Sequence, residues 1–251
     1  TGATWTGNKN CFDNVDQRVI SWPNGTNVVT RDSDAWNQIF NNYKSSVEQQ
    51  LGMTITKDDV VLEIGPGIGT LTIELAKRVK KVIAIEQDSN ICQILENRLK
   101  KENIDNVELI NDDALNVEFP KFDKIISNLP YQISSPITFK FLNYDFQLAI
   151  LMYQKEFASR MNGKVGSKDY SRLSAMLYFK CDVDLLTGVS AESFIPKPKV
   201  DSTVVRLTPK LPELNGQLKH LNINEINEKD FKTYSKFVKA LFQHRNKKVK
   251  N

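Results

Sequence analysis

Apolar positions along the chain follow two alternating periods. Short runs rich in β-branched residues recur at 60–64, 82–85, 107–110, 124–126 and 148–152, with the length and composition of buried strands. The gaps after the first two carry a helical repeat, Leu71, Leu75 and Val79, then Ile91, Leu95 and Leu99. Strands alternating with helices make βαβ units. Right-handed crossovers turn such units into a mostly parallel sheet covered by helices on both faces, an α/β fold. The pattern then predicts a helix after Met152 as far as about Met161, a Gly/Ser/Lys loop and a helix near 172–179. Two extended runs, 183–189 and 200–207, follow as an antiparallel hairpin at one sheet edge.

The flanks read differently. Residues 1–31 are polar, rich in Asn, Gly and Thr, and show no periodicity, so they are expected to be irregular. Trp36, Ile39, Phe40, Tyr43, Val47 and Leu51 fall at helical spacing, with Gly52 as a stop, which predicts a helix over 34–51. Residues 209–230 form a polar linker with Pro209 and Pro212. Beyond it Phe231, Tyr234, Val238, Leu241 and Phe242 make an apolar stripe opposite Lys232, Lys236 and Lys239. The organisation expected is therefore an N-terminal extension over 1–56, a core over 57–209, and over 210–251 a linker with the start of a C-terminal helical domain.

Composition narrows the class. Of 251 residues, 25% are charged and 40% hydrophobic, which excludes disordered, collagenous and membrane-embedded chains. The longest apolar run, 148–153, is too short to cross a bilayer, and no apolar leader is present, so a cytoplasmic setting without a membrane is expected. In a eukaryote the nucleolus or mitochondrion would serve as well. Cys11, Cys92 and Cys181 are too far apart for a CxxC metal motif or a disulfide framework, and no metal is expected. The formal charge of +4 is unevenly placed: residues 232–251 hold seven Lys/Arg and no acid, while the other 231 carry 27 basic and 30 acidic residues. A basic end on a slightly acidic body suits a polyanion, since each neutralised phosphate releases a counterion; a solvated tail would look the same.

Ligands of parallel sheets bind beyond the carboxyl ends of the strands, so the residues there carry the chemistry. The first strand ends in Glu63-Ile64-Gly65-Pro66-Gly67-Ile68-Gly69, opening a helix at Thr70. Glycines let a ligand approach the backbone, and the GxGxG spacing differs from the GxGxxG of diphosphate-binding turns. A nucleoside without a diphosphate fits, with S-adenosylmethionine the leading candidate. Glu86, seventeen residues after Gly69, ends the second strand, where a carboxylate can accept both ribose hydroxyls. Asp112-Asp113-Ala114 after the third strand offers an acid for an adenine amine, or simply a turn-forming Asp. The fourth strand ends in Asn128-Leu129-Pro130-Tyr131. An aromatic exocyclic amine is a poor nucleophile because its lone pair is delocalised. An Asn oxygen and a backbone carbonyl held by the next proline can accept its two protons and turn the lone pair outward, while a Tyr stacks on the base.

These motifs occur in order with Met152-Tyr153-Gln154-Lys155-Glu156-Phe157-Ala158-Ser159-Arg160, Tyr170-Ser171-Arg172-Leu173-Ser174 and Phe194-Ile195-Pro196-Lys197-Pro198-Lys199-Val200-Asp201-Ser202. Together they resemble the rRNA adenine N6,N6-dimethyltransferases of the KsgA/Dim type, in the archaeal and eukaryotic style, over residues 57–250. The resemblance implies a Rossmann-like class I methyltransferase fold with a seven-stranded sheet. It implies a monomer that dimethylates two adjacent adenines near the 3′ end of small-subunit rRNA during small-subunit maturation. Carried over, Glu63, Gly65, Gly67 and Asn128 lie along S-adenosylmethionine, Glu86 holds its ribose, and Asp113 with Ala114 its adenine. Asn128 and the Leu129 carbonyl hold the target N6, Pro130 fixes that carbonyl, and Tyr131 and Phe194 sandwich the base, with Lys197 and Lys199 near phosphate. No general base is required, and His220 and His244 both lie outside the nucleotide-binding core.

Two departures stand out. The family's GQxFL segment has only Gly25-Thr26-Asn27-Val28-Val29 as its nearest match, and the chain stops at Asn251, soon after the FxxRxK-like stretch at 242–247. An RNA-binding assembly factor or mitochondrial-type transcription factor of the same descent, with secondary catalysis, is one alternative. The antibiotic-resistance methyltransferases of large-subunit rRNA are another.

Overall fold

The β-branched runs assemble into one seven-stranded sheet in the computed structural model, which describes residues 18–21, 27–30, 55–194, 198–210 and 228–243. In chain order the sheet strands are β3 (Val60–Ile64), β4 (Lys81–Glu86), β5 (Val107–Asn111), β6 (Lys124–Asn128), β7 (Leu148–Gln154), β8 (Cys181–Val189) and β9 (Ser202–Pro209). The helices are α1 (Thr70–Ala76), α2 (Ser89–Lys101), α3 (Ser134–Phe141), α4 (Lys155–Met161), α5 (Arg172–Lys180) and α6 (Glu228–Gln243). The spatial order is β5-β4-β3-β6-β7-β9-β8. β3 to β7 run parallel, and β9 lies antiparallel between β7 and β8, which is the expected edge hairpin.

Both faces of the sheet are buried, which is why its strands read as continuous apolar runs. Leu62, Ile64, Ile83, Ile85 and Ile125 pack with α3, α4 and α5 residues on one side. Their neighbours Val61, Val82, Ala84, Ile126 and Ile150 join Leu75 and Ala76 of α1 on the other. The two-residue side-chain period of a strand sorts them. β7 extends two residues past the predicted run, through Tyr153 and Gln154, because these pair with Thr203 and Ser202 of β9. Tyr153 is fully buried; its hydroxyl bonds Thr138 Oγ1 at 2.7 Å and its ring lies 5.0 Å from that of Phe157.

At the other end of the sheet a buried ion pair binds three strands. Lys124 Nζ lies 2.6 Å from Asp59 Oδ2. The Asp59 carbonyl accepts the Lys80 and Lys81 N–H groups, and Asp123 Oδ2 accepts that of Val60 at 2.8 Å. The C-terminal stripe seats α6 on α5: Phe231 and Val238 are buried, and Tyr234 stacks on Phe179 at 4.6 Å and donates its hydroxyl proton to the Ala175 carbonyl at 3.0 Å. Leu241, expected in that stripe, is exposed, since the seam continues instead through Phe242 against Tyr170.

Residues 18–21 and 27–30, expected to be irregular, form a separate antiparallel ribbon of β1 (Arg18–Ser21) and β2 (Asn27–Thr30), in which Val19 faces Val29 and Ile20 faces Val28. The helix predicted over 34–51, most of the 209–230 linker, Lys197, and the basic residues after 243 lie outside the described residues.

Replacing Asp59 with Ala removes the carboxylate that lies 2.6 Å from the buried Lys124 ammonium and is expected to cost about 3–5 kcal/mol, read from the denaturant midpoint. Combining it with Lys124→Met should recover most of that loss.

Candidate active site

The site begins where the sheet stops holding itself together by backbone. β3 and β6 pair only at Val61 with Lys124 and Leu62 with Ile125. One turn of the pleat later, Ser127 Oγ donates to the Ile64 carbonyl at 2.6 Å and accepts the Ile64 N–H at 3.3 Å. The side chain takes over both ladder bonds, so the strands part without stranding a buried polar group. This is also where strand order reverses, with β4 and β5 to one side and β6 and β7 to the other, the position at which open α/β sheets bind ligands.

Two loops meet over the opening. Gly65 (φ 68°) donates to the Ile85 carbonyl at 2.9 Å, and a Cβ there would stand 2.9 Å from Pro130 Cγ. The glycine loop after β3 therefore abuts the Asn128–Tyr131 loop after β6. Gly67 (φ 56°) is open, since a Cβ would meet nothing within 4 Å, and its N–H donates to Glu86 Oε2 at 3.2 Å. Glu86 Oε1 accepts the Asp88 N–H at 3.1 Å, while the Glu86 carbonyl takes the Asp112 N–H at 3.1 Å and Asn111 Nδ2 at 2.9 Å. A carboxylate fixed in this way keeps lone pairs for a diol.

Glu63 lies beneath the loop, 2% exposed. Burial pushes its carboxyl up to about 8 and the Glu86 charge adds to the rise; Thr72 offsets a part, although neither Glu63 Oε2 nor Thr72 Oγ1 meets hydrogen-bond geometry. Glu63 is thus largely neutral at pH 7. Asp113 shapes a turn: Oδ1 accepts the Leu115 N–H at 2.8 Å and Oδ2 accepts Asn116 Nδ2 at 3.1 Å. Ala114 is buried, and Lys140 Nζ donates to its carbonyl at 2.9 Å and to that of Val117. Burial draws the Lys140 pKa down and Asp113 counters it. No pattern in the sequence marked Lys140, whose role rests on α3 crossing this turn.

Asn128 ends β6 in register with Met152; it is exposed, and among the described residues its carboxamide has no hydrogen-bond partner. Leu129 is buried and Pro130 exposed. The Tyr131 hydroxyl lies 2.6 Å from Ser202 Oγ, and Ser202, 1% exposed, pairs with Gln154. Ser202 was visible in the sequence only as a motif position, and contact across the sheet gives it work. Phe194 is half-buried in the β8–β9 connection, whose base is tied by Asp201: its Oδ1 accepts the Ala191 N–H at 3.0 Å and its carbonyl the Lys155 N–H at 3.0 Å. Among the described residues no ring contact joins Tyr131 to Phe194. Among the same residues no cluster of three His, Cys, Asp or Glu could hold a metal ion, and no helix is long and apolar enough to cross a membrane.

A doubly wound sheet whose switch point carries a GxGxG turn, with an acid ending the next strand, is the fold of the class I S-adenosylmethionine-dependent methyltransferases. The family model for ribosomal RNA adenine dimethylase matches residues 30–251, and the chain belongs to that family. It is 51% identical over 78% of its length to a ribosomal RNA small subunit methyltransferase A of Methanosphaera stadtmanae, covering 67% of that protein. A dimethyladenosine transferase from Plasmodium falciparum superposes with TM-score 0.67 at 35% identity, covering 87% of this chain and 72% of that one. The 23S rRNA methyltransferase ErmE gives 0.62 at 27% identity, covering 86% and 79%. The chain spans about two thirds of the curated relatives it matches, 67% of the first and 64% of a Thermococcus sibiricus relative.

Burial of Glu63 has a stability consequence. Its native carboxyl titrates near 8 against an ordinary 4.5, so between those values the native state binds more protons than the unfolded one, and stability falls as pH rises from about 4.5 to about 8. Glu63→Gln is expected to flatten that fall, melting higher than the parent at pH 8; an unchanged pH slope of Tm would contradict a buried neutral acid.

Proposed function

We propose that the chain transfers methyl groups from S-adenosylmethionine to N6 of two adjacent adenosines near the 3′ end of small-subunit rRNA, leaving N6,N6-dimethyladenosine, during small-subunit maturation. One observation carries this reading: the unpartnered Asn128 carboxamide stands at the crevice rim, in a loop whose Pro130 abuts Gly65 of the glycine turn. A hydrogen-bonding amide next to a nucleoside-binding turn is what an amine acceptor requires.

The residues present suit S-adenosylmethionine. Glu86 has acceptor capacity for ribose hydroxyls, the open Gly67 backbone allows close approach, and the turn at Asp113 and Ala114 can accept an adenine amine. A cation bound beside Glu63 would draw this buried acid toward its ionised form. The bound donor supplies an electrophilic methyl group on a sulfonium. Asn128 Oδ1 and the Leu129 carbonyl accept the two N6 protons and turn the lone pair out of conjugation. Tyr131, held by Ser202, presents its ring to one face of the base, and Phe194 the other. The amine becomes acidic as the new N–C bond forms, so its proton can leave to water without a side-chain base. Catalysis is then positioning and electrostatics.

The core over 57–209 carries this machinery, and the chain acts as a monomer in the cytoplasm or another rRNA-containing compartment. Small-subunit rRNA is favoured over large-subunit rRNA by 51% identity to a small-subunit methyltransferase against 27% to ErmE.

Asn128→Ala should lower single-turnover methyl transfer from labelled S-adenosylmethionine to immature small subunits on the order of 10²-fold, with binding of the methyl donor unchanged. Full activity in that variant would refute the assignment. Mass spectrometry locating the mark in large-subunit RNA would move the assignment to the second rRNA class.

A further inference from the structure

Beside the crevice lies a groove that the mechanism above leaves unused. It measures about 450 Å3, the size of a small-ligand site, and is lined among others by Gln154, Lys155, Glu156, Ser190, Lys199 and Asp201. It is built where β7 passes into α4, against the two arms of the β8–β9 connection. Its walls are tied together, since the Asp201 carboxylate takes the Ala191 N–H at 3.0 Å and the Asp201 carbonyl that of Lys155 at 3.0 Å.

Its place relative to Asn128 follows from the sheet register. Asn128 pairs with Met152, and Gln154 lies two residues further along β7. One strand spacing and two residues of rise separate the two by about 8 Å. Gln154 also pairs with Ser202, whose hydroxyl holds Tyr131 at 2.6 Å, so the groove and the base-stacking loop share a wall. Consecutive nucleotides of one strand can reach both.

We propose that this groove receives the nucleotide next to the target, and that Gln154 reads its base as adenine. The inference rests on the function proposed above and deepens it. Gln154 is half-buried and, among the described residues, its carboxamide has no hydrogen-bond partner. A glutamine carboxamide matches adenine in two bonds: Oε1 accepts the N6 amine and Nε2 donates to N7. Guanine presents acceptors at both positions and leaves Oε1 unpaired. Lys155 and Lys199, both exposed at the mouth, can meet the flanking phosphates. A site of this kind selects adenosines that have an adenosine neighbour, a preference the Asn128 pocket by itself does not supply.

The test uses the full chain and three small-subunit RNA substrates. They carry adenosine, purine riboside lacking the amine, or 7-deazaadenosine lacking N7 next to one target adenosine, and single-turnover methylation of that target is read by mass spectrometry. The parent is expected to slow about 10-fold to 100-fold on each altered RNA. Gln154→Ala should treat all three alike at the slow rate. Gln154→Glu, which accepts but does not donate, should still reject purine riboside and become indifferent to 7-deazaadenosine. Unchanged affinity for S-adenosylmethionine in both variants shows that they are folded. A parent that treats the three RNAs alike, as a phosphate-only groove would, overturns the inference, as does discrimination that survives in Gln154→Ala. A parent that methylates none of them overturns the proposed function, and this inference falls with it.

Discussion

The site depends on one local substitution of side chain for backbone, the two bonds between Ser127 Oγ and the Ile64 peptide. Parallel strands hold together through evenly spaced peptide bonds, and a crevice between them would ordinarily leave a buried N–H and C=O unpaired. Ser127 satisfies both groups of Ile64 and lets β3 and β6 part just before their loops begin. The glycine turn can then lean across until only a hydrogen at position 65 fits beside Pro130. A larger side chain there would push apart the glycine turn and the Asn128–Tyr131 loop, whose closeness the proposed methyl transfer needs.

Charge is arranged around that contact in an uneven way. Glu63 and Glu86 belong to neighbouring strands, yet one is buried with its Oε2 unsatisfied and the other is held by two peptide N–H groups. Burial favours the neutral form of Glu63, so the two similar residues have different physical roles. Lys140 plays the opposite part across the sheet. It spends its charge on the Ala114 and Val117 carbonyls and so holds that turn.

The edge hairpin does more than finish the sheet. Because β9 runs antiparallel beside β7, its first residues arrive at the same end as the active-site loops. Ser202 reaches Tyr131, and Asp201 clamps the connection that carries Phe194. A parallel strand in that place would have delivered its carboxyl end there instead, with different side chains. The floor of the neighbouring groove, including Gln154, is a product of the same pairing.

Much of this was legible in residue order. The β-branched runs and helical gaps predicted the βαβ units, because strands buried on both faces leave an uninterrupted apolar signal. Gly65, Gly67, Glu86 and Asn128 could be picked out because ligands bind just after strand ends. Other features were not legible, since they join residues far apart in sequence: Ser127 to Ile64, Tyr131 to Ser202, Lys140 to the turn at 114, Lys124 to Asp59. The β1–β2 ribbon escaped for a different reason, being too short for any period to show. Sequence by itself determined the succession of elements and the chemistry at each strand end, because both follow from local pattern and spacing. Only the tertiary structure decided which ends meet, which acid is neutral and which amide is left unpaired, because these depend on burial and on cross-sheet contact.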